Sequence, residues 1–191
     1  MRLFFAVLIP AVISREIVAE SRKISAHSLR WVAPENQHFT LRFSVAVEEG
    51  RVGELISAGQ ETALKHHSFL LTISGAGFFP DEQRPRIFWV GTGEGSEKLI
   101  ALAGDLFLTS EDRSFLPHLT VARIKVGEAA DSLSNVLERG ERPLPFQELE
   151  SWKTKNFGFF PVSEFCLMES LLLPIGAVYR KVHSFLLVPA P

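Results

Sequence analysis

The chain is predicted to fold as an α+β domain of two pseudo-symmetric lobes, each an antiparallel sheet with helices on its outer face, around a central cleft. Three observations predict this. The order strand, helix, strand, helix, strand is legible twice along the 191 residues. The middle strand of each round carries the same polar pair, His38-Phe39-Thr40 in "QHFTLRF" and His118-Leu119-Thr120 in "PHLTVAR". The tetrapeptide "GFFP" also occurs twice, at 77–80 and 158–161, beginning 39 residues after His38 and 40 after His118. Two short matches in one register argue for an internal duplication within a single bilobal domain spanning residues 1–191.

The first element, "RLFFAVLI" at 2–9, is a short apolar run fit for a buried strand. Pro10 then suits the first turn of a helix running to about residue 26, with Val12, Ile13, Ile17 and Val18 on one face. "QHFTLRFSVAV" at 37–47 alternates, so His38, Thr40 and Arg42 face one way while Phe39, Leu41 and Phe43 form a buried back. A helix at 51–66 and a strand "FLLTISGAGFF" at 69–79 follow. The second round opens with the strand "RIFWVGT" at 86–92 and an amphipathic helix at 97–108. "HLTVARIKV" at 118–126 alternates as the first histidine strand does, and a helix at about 129–139 comes next. The rest reads as "PFQELESWKTKNFGFF" at 145–160 and the apolar segments "EFCLMESLLL" and "AVYRKVHSFLLV". Pro, Gly and acidic residues mark short loops.

Composition narrows the function. The chain is 46% hydrophobic and 22% charged, an ordinary globular balance with ample material for a core. Its formal net charge is −2, which argues against a broad nucleic-acid-coating surface and leaves room for a small basic pocket. The single cysteine, Cys166, excludes an intramolecular disulfide and sits in an apolar run as a small buried hydrophobe. The opening run lacks a cleavage site and is broken by Pro10, and no stretch of 18 apolar residues spans a membrane. A cytoplasmic protein that acts as a monomer, with no membrane partner, is expected.

The two histidine strands carry the chemistry. Residues i and i+2 of a strand share a face, so each histidine stands beside its own threonine. Imidazole titrates near neutral pH, so one ring can take a proton from an attacking hydroxyl while the other gives one to a leaving oxygen. Threonine hydroxyls can donate to non-bridging phosphate oxygens. A strained cyclic phosphodiester needs no more than this, so neither metal nor other cofactor is expected. A lone strand histidine is more often a surface or satisfied core residue. Here the pair recurs on equivalent strands.

"WVAPENQHFTLRF" and "FLPHLTVAR" resemble the two signature motifs of the 2H phosphoesterase superfamily, most closely those of the RNA 2′,3′-cyclic phosphodiesterases, also called 2′-5′ RNA ligases. "MRLFFAVLIP", "GFFP…RPRIFWVG" and "ESLLLPIGAVYRKV" are similar to that family too. The chain departs from the family pattern after Phe43, reading "RFSVAV" where Leu-Gly is common. The resemblance implies that RNA ends or nucleotides bearing a 2′,3′-cyclic phosphate are opened to a 2′-phosphomonoester. It implies catalytic roles for His38 and His118, and substrate binding by Thr40, Thr120 and Arg123. Strict alternation puts Arg123 on the face opposite His118, so its role requires a strand end, a twist or a bulge. Water must attack phosphorus while the 3′-oxygen leaves. His38 is assigned as the acid and His118 as the base, with the near-symmetry leaving the reverse assignment open. Run backwards, the site would join a cyclic phosphate end to a 5′-hydroxyl as a 2′-5′ linkage.

Other signals point elsewhere. "WVGTGEGSEK" has Ser96 where a third glycine is needed and no Gly-Lys-Ser/Thr, so it reads as a turn. His66 and His67 are adjacent, point apart and lack a third ligand, which speaks against a metal site. His27 and His183 have no repeat partner and read as structural. Trp31 reads as core, with base stacking in the cleft as its alternative. Two other functions remain open on sequence: a phosphodiesterase of a small cyclic nucleotide or an ADP-ribose cyclic phosphate, and a non-catalytic RNA-end binding module.

Overall fold

A computed structural model of the chain describes residues 1–24, 28–44, 47–106, 115–124, 144–173 and 176–191. Among these, nine strands join in one antiparallel sheet: β1 (Leu3–Leu8), β2 (Leu29–Trp31), β3 (His38–Ser44), β4 (Phe69–Phe79), β5 (Ile87–Thr92), β6 (Leu119–Ile124), β7 (Asn156–Val162), β8 (Glu164–Leu173) and β9 (Gly176–Leu186). Their order is β7-β4-β5-β6-β3-β1-β8-β9, with β2 paired to β6. The helices are α1 (Ala11–Ser21), α2 (Val52–Ala63), α3 (Ser96–Asp105) and the short α4 (Phe146–Glu150). The fold is α+β, as predicted. No helix among the described residues is long and apolar enough to cross a membrane.

The sheet order reads outwards from its centre as two matching halves. β6 and β3 meet in the middle through the pair Phe39↔Leu119. β5 flanks β6 as β1 flanks β3, and then come β4 and β8, and β7 and β9. The two "GFFP" segments do not follow this correspondence. They lie on β4 and β7, which pair with each other through Leu71↔Phe160 and Thr72↔Phe159.

Alternation along the strands splits the sheet into two faces. Leu3, Phe5 and Val7 of β1, with Phe39, Leu41, Leu119 and Val121, are buried in the main core. Ile13 and Ile17 of α1, Leu55 of α2, and Leu99 and Leu102 of α3 join that core. Burying an aliphatic side chain of this size is worth about 1.5–3 kcal/mol before entropy is counted, so the helices are held by this face. Phe4 and Ala6 of β1 point the other way and pack with Cys166, Met168 and Tyr179.

Several expectations shift in detail. α1 stops at Ser21, and the Val18 carbonyl accepts both the Ser21 hydroxyl at 2.8 Å and the Arg22 N–H that closes the last turn. Val12 is exposed rather than part of the buried face, because the i, i+4 row through Ile13 and Ile17 is the one that meets the core. The helix expected at about 129–139 and His27 lie outside the described residues. "WVGTGEGSEK" is indeed the turn from β5 into α3, and it needs its glycine: Gly95 has φ +85°, and a Cβ there would run into the Leu70 carbonyl. Cys166 is buried, as expected.

Candidate active site

The antiparallel register at the centre of the sheet builds the site. Pairing Phe39 with Leu119 sets His38 against Thr120 and Thr40 against His118. Phe39 and Leu119 are fully buried in the core, so the four polar side chains lie on the opposite face. Diagonal neighbours across such a pair stand about 7–8 Å apart, and the two histidines are diagonal neighbours. All four residues line one cleft of about 1190 Å³.

Each ring meets the backbone two residues before it. His118 Nδ1 lies 2.8 Å from the Leu116 carbonyl, which can only accept, so Nδ1 carries a hydrogen and Nε2 is the nitrogen left to face the cleft chemistry. The His38 ring interacts with the backbone of Asn36, which favours its charged form. The surroundings of the two rings differ. The His38 ring lies 5.0 Å from Phe4 and edge-on to Tyr179 at 5.0 Å, whereas His118 meets Phe79 edge-on at 4.8 Å.

Burial pushes the His38 imidazole down to about 4, against the opposing pull of the Asn36 bond and with a smaller contribution from the nearby charge of His118. The folded chain by itself thus keeps His38 neutral at pH 7. Because its ordinary value is near 6.5, the unfolded chain takes up a proton between pH 6.5 and 4 that the folded chain refuses. The stability involved is fully present above pH 6.5 and is lost as pH falls towards 4. Denaturant unfolding at pH 7 and pH 4 should show the wild type losing about 3 kcal/mol more than His38→Gln over that interval. Equal losses would show that His38 charges freely in the folded state.

A pair of bulges decides what else faces the cleft. Phe5 pairs with Arg42 and Ala6 with Thr40, which leaves Leu41 unpaired. On the other side Phe88 pairs with Ala122 and Trp89 with Thr120, which leaves Val121 unpaired. Each unpaired residue stands three positions after its histidine and is buried. A bulge puts the alternation out of step by one. Arg123 therefore lines the cleft with His118 and Thr120, through the device its expected role required. The same shift corrects the placement of Phe43. It does not join Phe39 and Leu41 on the buried back; it is 51% exposed, lines the cleft and stacks on Phe4 at 5.3 Å.

Sequence reading missed Arg30, Phe79 and Tyr179, all of which line the cleft. The signal for Tyr179 was its place in "VYRKV"; Arg30 and Phe79 enter only through strand pairing. Trp31 packs on Trp152 at 5.8 Å and Phe88 at 6.4 Å, as its core reading expects, and it also lines the cleft. His66 bonds Asp105 at 2.8 Å and His67 bonds the Pro189 carbonyl at 2.9 Å, so the two rings serve different partners. His183 packs against Phe185 on β9.

Comparison with known proteins places this architecture. Residues 9–89 match the family described as LigT-like phosphoesterase. The RNA 2′,3′-cyclic phosphodiesterase of Aquifex aeolicus is 31% identical over 166 residues, covering 83% of this chain and 81% of that protein. That of Methanothermobacter thermautotrophicus is 30% identical over 174 residues, covering 88% of each. Among solved structures, a protein of Thermus thermophilus superposes with a TM-score of 0.77 at 27% identity over 98% of both chains. Escherichia coli LigT in complex with 3′-AMP superposes with a TM-score of 0.73 at 26% identity over 97% of both. With this fold and these relatives the protein is a phosphodiesterase. The chain belongs to the 2H, or LigT-like, phosphoesterase family.

Proposed function

We propose that the protein hydrolyses RNA-terminal 2′,3′-cyclic phosphates to 2′-phosphomonoesters, using His38 and His118 as acid and base and requiring no metal. The observation that carries this reading is the register Phe39↔Leu119, which sets two histidines and two threonines at the corners of one small square on the cleft face. The names of the relatives, RNA 2′,3′-cyclic phosphodiesterases, support the substrate class. The reading treats residues 1–191 as one bilobal domain built by duplication, supported by the matching order of strands on either side of β3 and β6.

In this scheme the phosphate sits between the histidines, with the Thr40 and Thr120 hydroxyls donating to its non-bridging oxygens and Arg123 holding the nucleotide. Neutral His118, its Nε2 free, takes a proton from water as the water oxygen attacks phosphorus. The bond from phosphorus to the 3′-oxygen breaks, and that oxygen takes the proton of His38. The 2′-ester remains. His38 must be charged to act, and the phosphodiester anion supplies the neighbour that restores its proton. Burial that makes this ring hard to charge also makes its imidazolium a stronger acid once charged. Reversal, with a 5′-hydroxyl in place of water, would give 2′-5′ ligation.

The test is turnover of a cyclic-phosphate-ended oligonucleotide in EDTA. Undiminished hydrolysis is expected. Loss of activity restored by zinc or manganese would contradict the mechanism. Binding without turnover would instead favour an RNA-end binding module.

A further inference from the structure

We propose that Arg30 and Arg123 together form a subsite for the phosphate on the 5′ side of the terminal nucleoside, and so make the cleft selective for a nucleotide chain end over a bare nucleoside cyclic phosphate. This rests on the reading above. β2 pairs with β6 so that Arg30 stands directly opposite Arg123. Both side chains are exposed and both line the cleft. Like charges in opposed positions on paired strands repel, and sheets ordinarily avoid the arrangement.

Several cations elsewhere on the described surface are matched with carboxylates, among them Arg51 with Glu54, Arg180 with Glu169, and Lys153 with Glu82 and Glu150. Arg30 and Arg123 have no such partner among the described residues. In a chain of net charge −2, two cations set directly opposite one another in the wall of the candidate site concentrate positive charge locally. Two guanidinium forks side by side suit a phosphate, whose oxygens accept from both.

Position selects which phosphate. Arg123 lies three residues beyond Thr120, at most about 10 Å along the strand. That separates it from the His–Thr square by roughly the distance a nucleotide must span. β5 occupies one edge of β6, so β2 pairs with Ala122–Ile124 further along the same edge that meets β3 at Leu119, and this offset along β6 keeps the pair clear of the reacting phosphorus.

The experiment compares kcat/KM for three substrates: cytidine 2′,3′-cyclic phosphate, the same compound carrying a 5′-phosphate, and a dinucleotide ending in the cyclic phosphate. Wild type should favour the last two by about tenfold or more, and Arg30→Gln should lose most of that preference. The slope of log kcat/KM against log salt for the dinucleotide should become shallower by about one in the variant. A preference confined to the dinucleotide would assign the subsite to an internucleotide diester, and one shared by both to any 5′-phosphate. Equal use of all three by wild type, or an equal loss on all three in Arg30→Gln, would overturn the inference. If wild type opens none of them, it is the proposed reaction that fails. Affinity for cytidine 2′-phosphate with and without a 5′-phosphate then reads the pair alone, and equal affinities would overturn it.

Discussion

Replacing either His38 or His118 by alanine is expected to lower turnover of a cyclic-phosphate substrate by about 10² to 10⁴, the usual weight of a positioned acid or base. Both side chains border the same cleft and reach it from paired strands. His118 is held by its bond to the Leu116 carbonyl and His38 is packed between Phe4 and Tyr179, so each substitution removes a ring already positioned by its surroundings. The double variant should cost far less than the product of the two single losses, because groups that act on one transition state are not independent. Strict additivity, or turnover surviving either change, would remove the two-histidine mechanism. Stability offers a control. His38→Ala relieves a ring that the fold keeps from its proton, so below pH 6 the variant should unfold less readily than its lost packing alone implies.

Phe39→Ala is expected to produce the largest loss of stability among single changes near the site, about 3–5 kcal/mol. Phe39 is fully buried and pairs with Leu119, the register partner through which β3 meets β6 among the described residues. A cavity there does two things. It removes the packing of a large ring, and it loosens the contact that sets His38 against Thr120. The midpoint of thermal unfolding should fall by about 10 °C or more. Turnover by the folded fraction should fall as well, since small displacements of catalytic groups are costly. Phe165→Ala makes the comparison. Phe165 is equally buried but packs against Phe5 and Phe185, in the half of the sheet carrying β8 and β9. It should destabilise to a similar degree with kcat nearly unchanged. Equal kcat losses in both would mean that the junction has no special part in aligning the site.

Much of this architecture was legible because alternation is a local property. The runs around Leu3–Leu8, Phe69–Phe79 and Ile87–Thr92 announce strands from their own residues. The recurrence of histidine and threonine two apart announced a shared face. What stayed hidden depends on neighbours. The bulges at Leu41 and Val121 arise from how β3 meets β1 and how β6 meets β5. Nothing within "HFTLRF" or "HLTVAR" marks where alternation slips. Phe43 was therefore expected in the core, whereas Arg123 reached the correct face only on the strength of a family resemblance. Neither "GFFP" tetrapeptide reveals that the two lie on strands that pair with one another. Arg30 lay in plain view as a surface cation, and only the pairing of β2 with β6 sets it opposite Arg123.

The central claim is that His38 delivers its proton to the 3′-oxygen while water attacks from the side of His118. Phosphorus NMR of the product formed in EDTA from cytidine 2′,3′-cyclic phosphate, or from a cyclic-ended oligonucleotide, tests it most directly. The account predicts a 2′-phosphomonoester as the single product. A dominant 3′-phosphate would mean that the nucleotide sits reversed between the histidines, and a mixture of the two would mean that the cleft does not select the leaving oxygen.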